Sequence, residues 1–329
     1  MQVFPSRALR SHIGFAAIVV LTSLFAFRPA FAQPSSTWVQ LKTSKKPSAR
    51  DACEMFYDPV SQKTVMFGGY DGSKYLNDTW TFDGKKWKQI KTAVAPPARA
   101  AGSAAYDSKL KQVVLFGGFN GQYLNDTWLW DGSTSTWTQA MPAHQPVAET
   151  LPMLFPDPLT GRVDEFGGYD GKFYQATNWH WKNGDWHKFK PAQSPYARAA
   201  SVIGTNPVLK QTVIFGGLAD MNPVNTWTFD GHTWTEQSPA TQPSQRLLVG
   251  TVYDPRFSGV VTFGGFSGQD NNETWLWDGT NWSQLAPQQS PPPREQMGMA
   301  FDQLHQQTIV FGGLDGNNLL NDTWVLQTQ

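Results

Sequence analysis

Short apolar segments separated by turn residues follow one another along most of the chain. After the first 32 residues, runs rich in β-branched and aromatic side chains alternate with clusters of Gly, Pro, Asn and Asp. No long stretch has the 3.6-residue periodicity of an amphipathic helix. This pattern is typical of many short strands, and it predicts an all-β protein.

The tripeptide Phe-Gly-Gly marks a repeat within this pattern. It begins at residues 67, 116, 166, 215, 263 and 311, at intervals of 48 to 50 residues. Each repeat predicts four strands, which we call a to d. In the first repeat they lie near residues 50–57, 63–69, 79–82 and 86–90. An Asp-Gly or Asn-Gly pair joins strands c and d in the first five repeats, because such pairs accept the positive φ of tight hairpin turns.

Tryptophan is the second recurring residue of the repeat. One stands on every predicted strand c, and one stands on strand d of the first five repeats. We expect these indoles to fill the space that the glycine pair leaves, and to be buried between neighbouring sheets. The strand-c residues are Trp80, Trp128, Trp179, Trp227, Trp275 and Trp324, and the strand-d residues are Trp87, Trp137, Trp186, Trp234 and Trp282.

The sixth repeat has no strand d of its own. The chain ends at Gln329, soon after Trp324, whereas the segment around Trp38 is similar to the strand d of other repeats. We therefore expect the N-terminal strand to complete the last sheet and to close a ring without open edges.

A period close to 50 residues with this pattern resembles the kelch repeat. The chain resembles the bacterial secreted kelch proteins over essentially all of residues 33–329. The resemblance implies a six-bladed kelch-type β-propeller with one four-stranded blade per repeat, the last blade being closed by the N-terminal strand. This fold occurs in enzymes and in binding modules, so it does not by itself identify a function.

The first 32 residues have the order of a secretory signal peptide. Two arginines precede an apolar run from Ile13 to Phe27, and Ala30-Phe31-Ala32 fits a cleavage site. The apolar run is short for a membrane span, although an uncleaved anchor is the alternative. We predict a signal peptide at 1–32 and a propeller at 33–329. The protein is then secreted, to the periplasm or the extracellular space, with no membrane insertion after cleavage.

Composition narrows the classes of partner and cofactor. Cleavage removes three arginines and no acid, which changes the formal net charge from 0 to −3, so nothing indicates a nucleic-acid partner. Cys53 is the only cysteine, which excludes an internal disulfide. The five histidines after residue 32 lie in different predicted loops and turns without the spacing of metal ligands. We expect a monomer with no metal and no other cofactor.

Candidate binding residues lie where the repeats differ. The d–a and b–c loops share one face of the predicted ring, which we call the top. Arginine begins strand a in five repeats, and Glu149 takes its place in the third. Because strand a is innermost, we expect these side chains around the channel mouth, as a site for an anion or a sugar acid. The alternative is that each arginine bonds to the backbone of a neighbouring blade. The five are Arg50, Arg99, Arg198, Arg246 and Arg294.

Tyrosine stands five residues before the strand-c tryptophan in the first three repeats only, as Tyr75, Tyr123 and Tyr174. Exposed rings in a row suit stacking on a sugar or a peptide, and ordinary loop packing is the alternative. With the arginines, these tyrosines predict a binding or interaction protein. Its top face would recognise a glycan or a protein segment, acidic in character, and no catalysis is expected.

Asp164 and Glu165 replace a largely apolar pair before the third Phe-Gly-Gly. A carboxylate is costly if it is buried and unpaired, so we expect a drifted blade in which solvent reaches both acids. The alternative is an acid with a perturbed pKa.

Two enzyme classes are alternatives within the resemblance. Secreted kelch enzymes resembling sialic acid mutarotase would fit a ring of arginines with nearby acids such as Glu54, Glu149 and Glu295. Enzymes of the galactose oxidase type hold copper with two tyrosines and two histidines, and one tyrosine is cross-linked to a cysteine. Cys53 stands where that cysteine is expected, but Gly102 occupies the matching place of the tyrosine, and no histidine pair is evident. Copper-radical chemistry is therefore not expected.

Overall fold

Hydrogen bonding between consecutive short strands produces six four-stranded sheets and one two-stranded hairpin. The computed structural model describes residues 34–221 and 223–328, so the predicted signal peptide lies outside the described residues. These residues contain 26 strands and no helix, and accordingly none of them forms a helix long and apolar enough to cross a membrane.

The first three sheets follow the chain in order and are numbered as blades. Blade 1 contains β2 (Glu54–Asp58), β3 (Lys63–Phe67), β4 (Thr79–Phe82) and β5 (Trp87–Ile90). Blade 2 contains β6 (Ser103–Asp107), β7 (Gln112–Phe116), β8 (Thr127–Asp131) and β9 (Thr136–Ala140). Blade 3 contains β10 (Met153–Pro156), β11 (Val163–Phe166), β12 (Asn178–Lys182) and β13 (Asp185–Phe189).

The remaining blades have the same order of strands. Blade 4 contains β14 (Val202–Asn206), β15 (Gln211–Phe215), β16 (Thr226–Phe229) and β17 (Trp234–Gln237). Blade 5 contains β18 (Gly250–Asp254), β19 (Gly259–Phe263), β20 (Thr274–Trp277) and β21 (Trp282–Leu285). Blade 6 contains β22 (Gly298–Asp302), β23 (Gln307–Phe311), β26 (Thr323–Thr328) and β1 (Ser36–Leu41), and the hairpin in its b–c loop consists of β24 (Leu314–Asp315) and β25 (Asn318–Leu319).

The ring is closed by the two ends of the described chain. β1 pairs antiparallel with β26, from Ser36 opposite Thr328 to Leu41 opposite Thr323. The strands a of successive blades contact one another around the centre, and the strand a of blade 6 contacts that of blade 1. The predicted six-bladed propeller and its closure by the N-terminal strand are confirmed.

Each strand-d indole joins its blade to the preceding one. Trp137 Nε1 donates to Thr79 Oγ1 at 3.0 Å, and Trp186 Nε1 donates to Thr127 Oγ1 at 2.9 Å. Trp38 makes the same contact with Thr274 at 3.1 Å, as a strand d of blade 6 should. The strand-d indoles are at most 3% exposed, so their predicted burial between sheets is confirmed. The strand-c indoles were also expected to be buried, but Trp80, Trp179 and Trp275 are only half-buried.

The glycine pair has a different role from the one we expected. Gly68 has a φ of +66°, and a Cβ there would lie 2.6 Å from the carbonyl oxygen of Arg99 in the next blade. The N–H of Gly69 donates to that same oxygen at 2.8 Å. The pair makes room for the neighbouring backbone rather than for an indole. An equivalent hydrogen bond recurs at all six junctions between blades.

Left-handed residues surround the channel mouth on the top face. The residue two positions after each arginine, or after Glu149, has a φ between 47° and 58°. Ala101 N–H donates to the carbonyl oxygen of Ala52 at 2.9 Å, and Ala52 N–H donates to that of Gln296 at 2.8 Å. We predicted that strand a of blade 1 starts near residue 50. It starts instead at Glu54, because the left-handed conformation before it is not extended.

Candidate functional site

The arginine at the start of each repeat lies inside its blade. Arg99 Nη1 and Nη2 donate to the two carboxylate oxygens of Asp126, both at 2.7 Å, and Nη1 also donates to the carbonyl oxygen of Gly117 at 2.9 Å. Trp128 Nε1 donates to the same carboxylate at 2.7 Å. Burial alone would raise the pKa of Asp126, but the hydrogen bonds and charge of Arg99 and the bond from Trp128 hold it below its ordinary value.

The same arginine–carboxylate–tryptophan network occurs in three further blades. It is formed by Arg50, Asp78 and Trp80, by Arg246, Glu273 and Trp275, and by Arg294, Asp322 and Trp324. In blade 4 the acceptor is uncharged, since Arg198 Nη2 donates to Asn225 Oδ1 at 3.1 Å. Burial lowers the pKa of Arg198 to about 10.

This geometry corrects our placement of the arginines. All five are at most 1% exposed, so their guanidinium groups do not surround the channel mouth. The alternative, that each arginine side chain bonds to the backbone of a neighbouring blade, also needs correction. The backbone of the arginine bonds to the neighbouring blade, whereas the side chain bonds within the arginine's own blade. Arg99 N–H, for example, donates to the carbonyl oxygen of Leu76 in blade 1 at 2.9 Å.

Blade 3 lacks this network. Glu149 occupies the arginine position and Thr177 the carboxylate position. Glu149 is 0% exposed, and neither of its carboxylate oxygens has a hydrogen-bond partner among the described residues. Burial, and secondarily the charge of Asp170, raises the pKa of Glu149 well above its ordinary value. Glu149 therefore does not face a ligand at the channel mouth, where we had placed it.

The two acids before the third Phe-Gly-Gly are also buried. Asp164 and Glu165 are both 0% exposed, so the expectation that solvent reaches them is wrong. Burial raises the pKa of Glu165 well above its ordinary value, and the charges of Glu149 and Asp164 raise it further. Burial raises the pKa of Asp164 to about 7, although a 2.6 Å contact with His180 Nδ1 opposes the shift. We expected His180 in a loop or turn, but it lies on β12.

The top face carries a continuous row of aromatic rings across blades 1 to 3, which we call the aromatic belt. Neighbouring ring centroids are 5.0 to 6.1 Å apart along the whole row. In order, the rings belong to Tyr70, Tyr75, Phe119, Tyr123, Tyr169 and Tyr174. The structure thus brings together the three tyrosines of the sequence prediction. All six rings are half-buried, so part of each remains accessible.

A pocket of about 270 Å³ opens beside the belt on blades 1 and 2. Its aromatic wall consists of Tyr70, Tyr75, Phe119 and Tyr123. Its remaining lining residues are Asp51, Ala52, Ala100, Ala101, Thr150 and Gln296, and none of them is cationic. Burial raises the pKa of Asp51 to about 6.

The central channel beneath the mouth contains a second cavity of about 240 Å³. Glu54 lines it and accepts a hydrogen bond from Gly102 N–H at 2.7 Å. Burial raises the pKa of Glu54 to about 7. Cys53 also lines this cavity, and burial raises the pKa of its thiol to about 12, which makes it a poor nucleophile at neutral pH.

Comparisons with known proteins agree with this architecture. Residues 20–150 match the KLHDC2/KLHL20/DRC7 Kelch-repeats domain. The fold is a kelch-type propeller. The solved structure of YjhT is similar with a TM-score of 0.68, covering 87% of this chain and 99% of its own, at 14% sequence identity. At that identity the likeness supports the fold of the propeller alone. No curated protein matches the chain.

Sequence reasoning missed half of the belt. Tyr70, Phe119 and Tyr169 each follow a glycine pair directly, and each pairs by backbone bridging with the tyrosine of its own b–c loop. The signal was present, because blades 4 and 6 have leucine at this position. Asp51 was also missed, since a single acid beside a buried arginine has no distinctive pattern.

Proposed function

We propose that this kelch-type propeller is a secreted binding protein whose aromatic belt takes an uncharged segment of a glycan. The observation that carries the proposal is the row of six aromatic rings, joined by five ring contacts, beside a pocket on one half of the top face. Aromatic walls with a few placed polar groups are the usual composition of a ligand site. Asp51, Thr150 and Gln296 supply those polar groups.

The character of the ligand differs from our first expectation. An acidic sugar or peptide was predicted on the basis of accessible arginines, but those side chains are buried and bonded within their blades. The pocket lining includes one carboxyl group and no cation, so a carboxylate ligand would gain no charge pairing there. A neutral sugar, with apolar faces for stacking and hydroxyl groups for hydrogen bonds, fits this lining better.

A glycan array that includes neutral and acidic sugars tests the proposal directly. Phe119→Ala should weaken binding of the recognised glycan by about 30-fold, the effect of losing an anchoring aromatic residue. Phe266→Ala is the matched control, because Phe266 occupies the same repeat position in blade 5 and lies outside the belt. Equal affinities of the two variants for the glycan would mean that the site is not at the aromatic belt. Binding of peptides and of no glycan would mean that the ligand is a protein segment.

Secretion is the second part of the proposal. It is supported by the order of charge, apolar run and small residues in positions 1–32. Mass spectrometry of protein recovered outside the cytoplasm should give a chain that starts at Gln33. Recovery of an intact chain held in the membrane would instead support an uncleaved anchor.

A sugar-acid-modifying enzyme resembling sialic acid mutarotase is the second candidate. One observation favours it, namely the channel cavity with Glu54, whose pKa of about 7 suits proton transfer at neutral pH. Turnover of a sugar acid that is lost in Glu54→Gln would support this candidate over binding alone. Turnover that is unchanged in this variant would exclude Glu54 as the reacting group.

A further inference from the structure

Blade 3 contains a polar cluster on the face that it packs against blade 4. Asp164 on β11 and His180 on β12 stand opposite each other in the strand register. The corresponding pairs in blades 2 and 5 are apolar, Val114 with Leu129 and Val261 with Leu276. The contact between Asp164 and His180 is therefore a feature of this blade and not of the repeat.

A second aspartate reaches the cluster from the a–b turn. Asp157 Oδ1 accepts backbone hydrogen bonds from Leu159 and Thr160 at 3.0 and 2.6 Å, which hold the turn. In blade 1 the equivalent Asp58 also receives an indole N–H from Trp130 of the next blade. In blade 4 the residue equivalent to Trp130 is Phe229, whose side chain has no N–H to donate.

The three side chains together offer a set of possible metal ligands. One ligand atom from each of Asp157, Asp164 and His180 lies within 4.8 Å of the others. The two aspartates are 4% and 0% exposed, and Asp164 Oδ2 has no hydrogen-bond partner among the described residues. Buried polar atoms normally have a partner, so an unpartnered carboxylate oxygen beside a second carboxylate suits a positively charged ligand.

We propose that Asp157, Asp164 and His180 bind a divalent cation of the zinc type. Two carboxylate oxygens and one imidazole nitrogen are ligands that Zn²⁺ accepts, and three protein ligands leave a fourth position for water. In a tetrahedral site the ligand atoms are about 3.4 Å apart, so a small inward movement completes the coordination.

Access to the site and the orientation of the imidazole are both provided. The side chain of His180 is 33% exposed, so one of the three ligands reaches solvent. Its ring stacks on Phe189 with centroids 3.7 Å apart and planes 7° apart, which holds Nδ1 toward Asp164. The bound ion would join the a–b turn of blade 3 to β11 and β12, beside the contact with blade 4.

Calorimetric titration of the chelator-treated full-length protein with Zn²⁺, and separately with Mn²⁺, tests the site. One ion should bind per chain, and the melting temperature should rise with metal concentration. Asp164→Val should weaken binding by more than about 100-fold. It should still fold, since valine occupies this position in blades 1, 2, 4 and 5. His180→Gln should also lose the metal-dependent rise in melting temperature.

His305→Gln is the matched control, because His305 Nδ1 contacts Asp302 at 2.7 Å in blade 6 with no third candidate ligand in reach among the described residues. It should bind metal as the unchanged protein does. Absence of saturable binding of either ion at millimolar concentration would overturn the proposal. So would binding that survives both changes in blade 3, or binding that is lost in His305→Gln.

Discussion

Blades 2 and 3 are neighbours that share a backbone hydrogen bond at their junctions but differ in the ionisable groups buried beside it. Blade 2 has the Arg99–Asp126–Trp128 network. In the same place blade 3 has the buried Glu149, whose carboxylate finds no hydrogen-bond partner within residues 34–221 and 223–328. Yet the backbone at both positions makes the same bond to the preceding blade, from Gly69 N–H to Arg99 at 2.8 Å and from Gly118 N–H to Glu149 at 2.8 Å. The backbone junction is therefore kept whichever side chain stands there, and that side chain adds to the stability of the blade or subtracts from it.

The largest expected effect concerns what the two blades share. Trp137→Ala in blade 2 and Trp186→Ala in blade 3 should each cost about 3–5 kcal/mol of unfolding free energy, because each removes a buried indole between blades. Denaturant unfolding of both variants measures these costs. A much smaller cost for Trp186→Ala would mean that blade 3 is loosely attached, and would break the equivalence of the two junctions.

The next effect concerns what only blade 2 has. Arg99→Ala should cost about 3 kcal/mol, because Asp126 is left without its cation and the carbonyl oxygen of Gly117 loses its donor. The loss should be present without any ligand, as a lower melting temperature. A variant that melts like the unchanged protein would contradict the structural role that the geometry assigns to this arginine.

In blade 3, Glu149→Gln should raise the unfolding free energy, whereas Arg99→Ala lowers it in blade 2. The pKa of Glu149 is raised from 4.5, so the folded protein binds more protons than the unfolded chain as pH rises above that value. The stability contributed by the neutral acid is full below pH 4.5 and is lost as pH rises through the folded pKa. The variant should therefore be the more stable protein at pH 8, by about 1–2 kcal/mol. Melting curves between pH 4 and 8 check this, and a pH-independent difference would refute it.

The smallest expected effect is the contribution of a single hydrogen bond, the one from the indole of Trp128 to Asp126. Trp128 Nε1 donates to Asp126, whereas the equivalent Trp179 Nε1 in blade 3 is a buried atom with no acceptor in the part of the chain that the structure describes. Trp128→Phe should thus cost about 1 kcal/mol more than Trp179→Phe, since the loss of ring volume is common to both. Equal costs in denaturant unfolding would show that the indole bond contributes nothing measurable.

Much of the ring was predictable, because a period near 50 residues repeats the same backbone demands. The range of strand c in blade 1, the closure by Trp38 and the number of blades all followed from aligned residues. The direction of the arginine side chains did not, because their carboxylate partners lie 27 or 28 residues further along the chain, as Asp126 does for Arg99, and only the folded blade brings them together. The burial of Asp164 was missed for a different reason, since its partner His180 meets it only through strand register.

The pairing of β1 with β26 also gives the ring a defined response to force. Ser36 lies opposite Thr328, so tension that pulls the two ends apart loads the hydrogen bonds of this pair one at a time rather than together. The first strong resistance comes at Trp38, whose amide donates to Gln289 and whose indole donates to Thr274. Extension of single molecules from both ends should show blade 6 opening first, at a force that Trp38→Phe reduces. The mechanical resistance of the closed ring therefore depends mainly on one residue, Trp38.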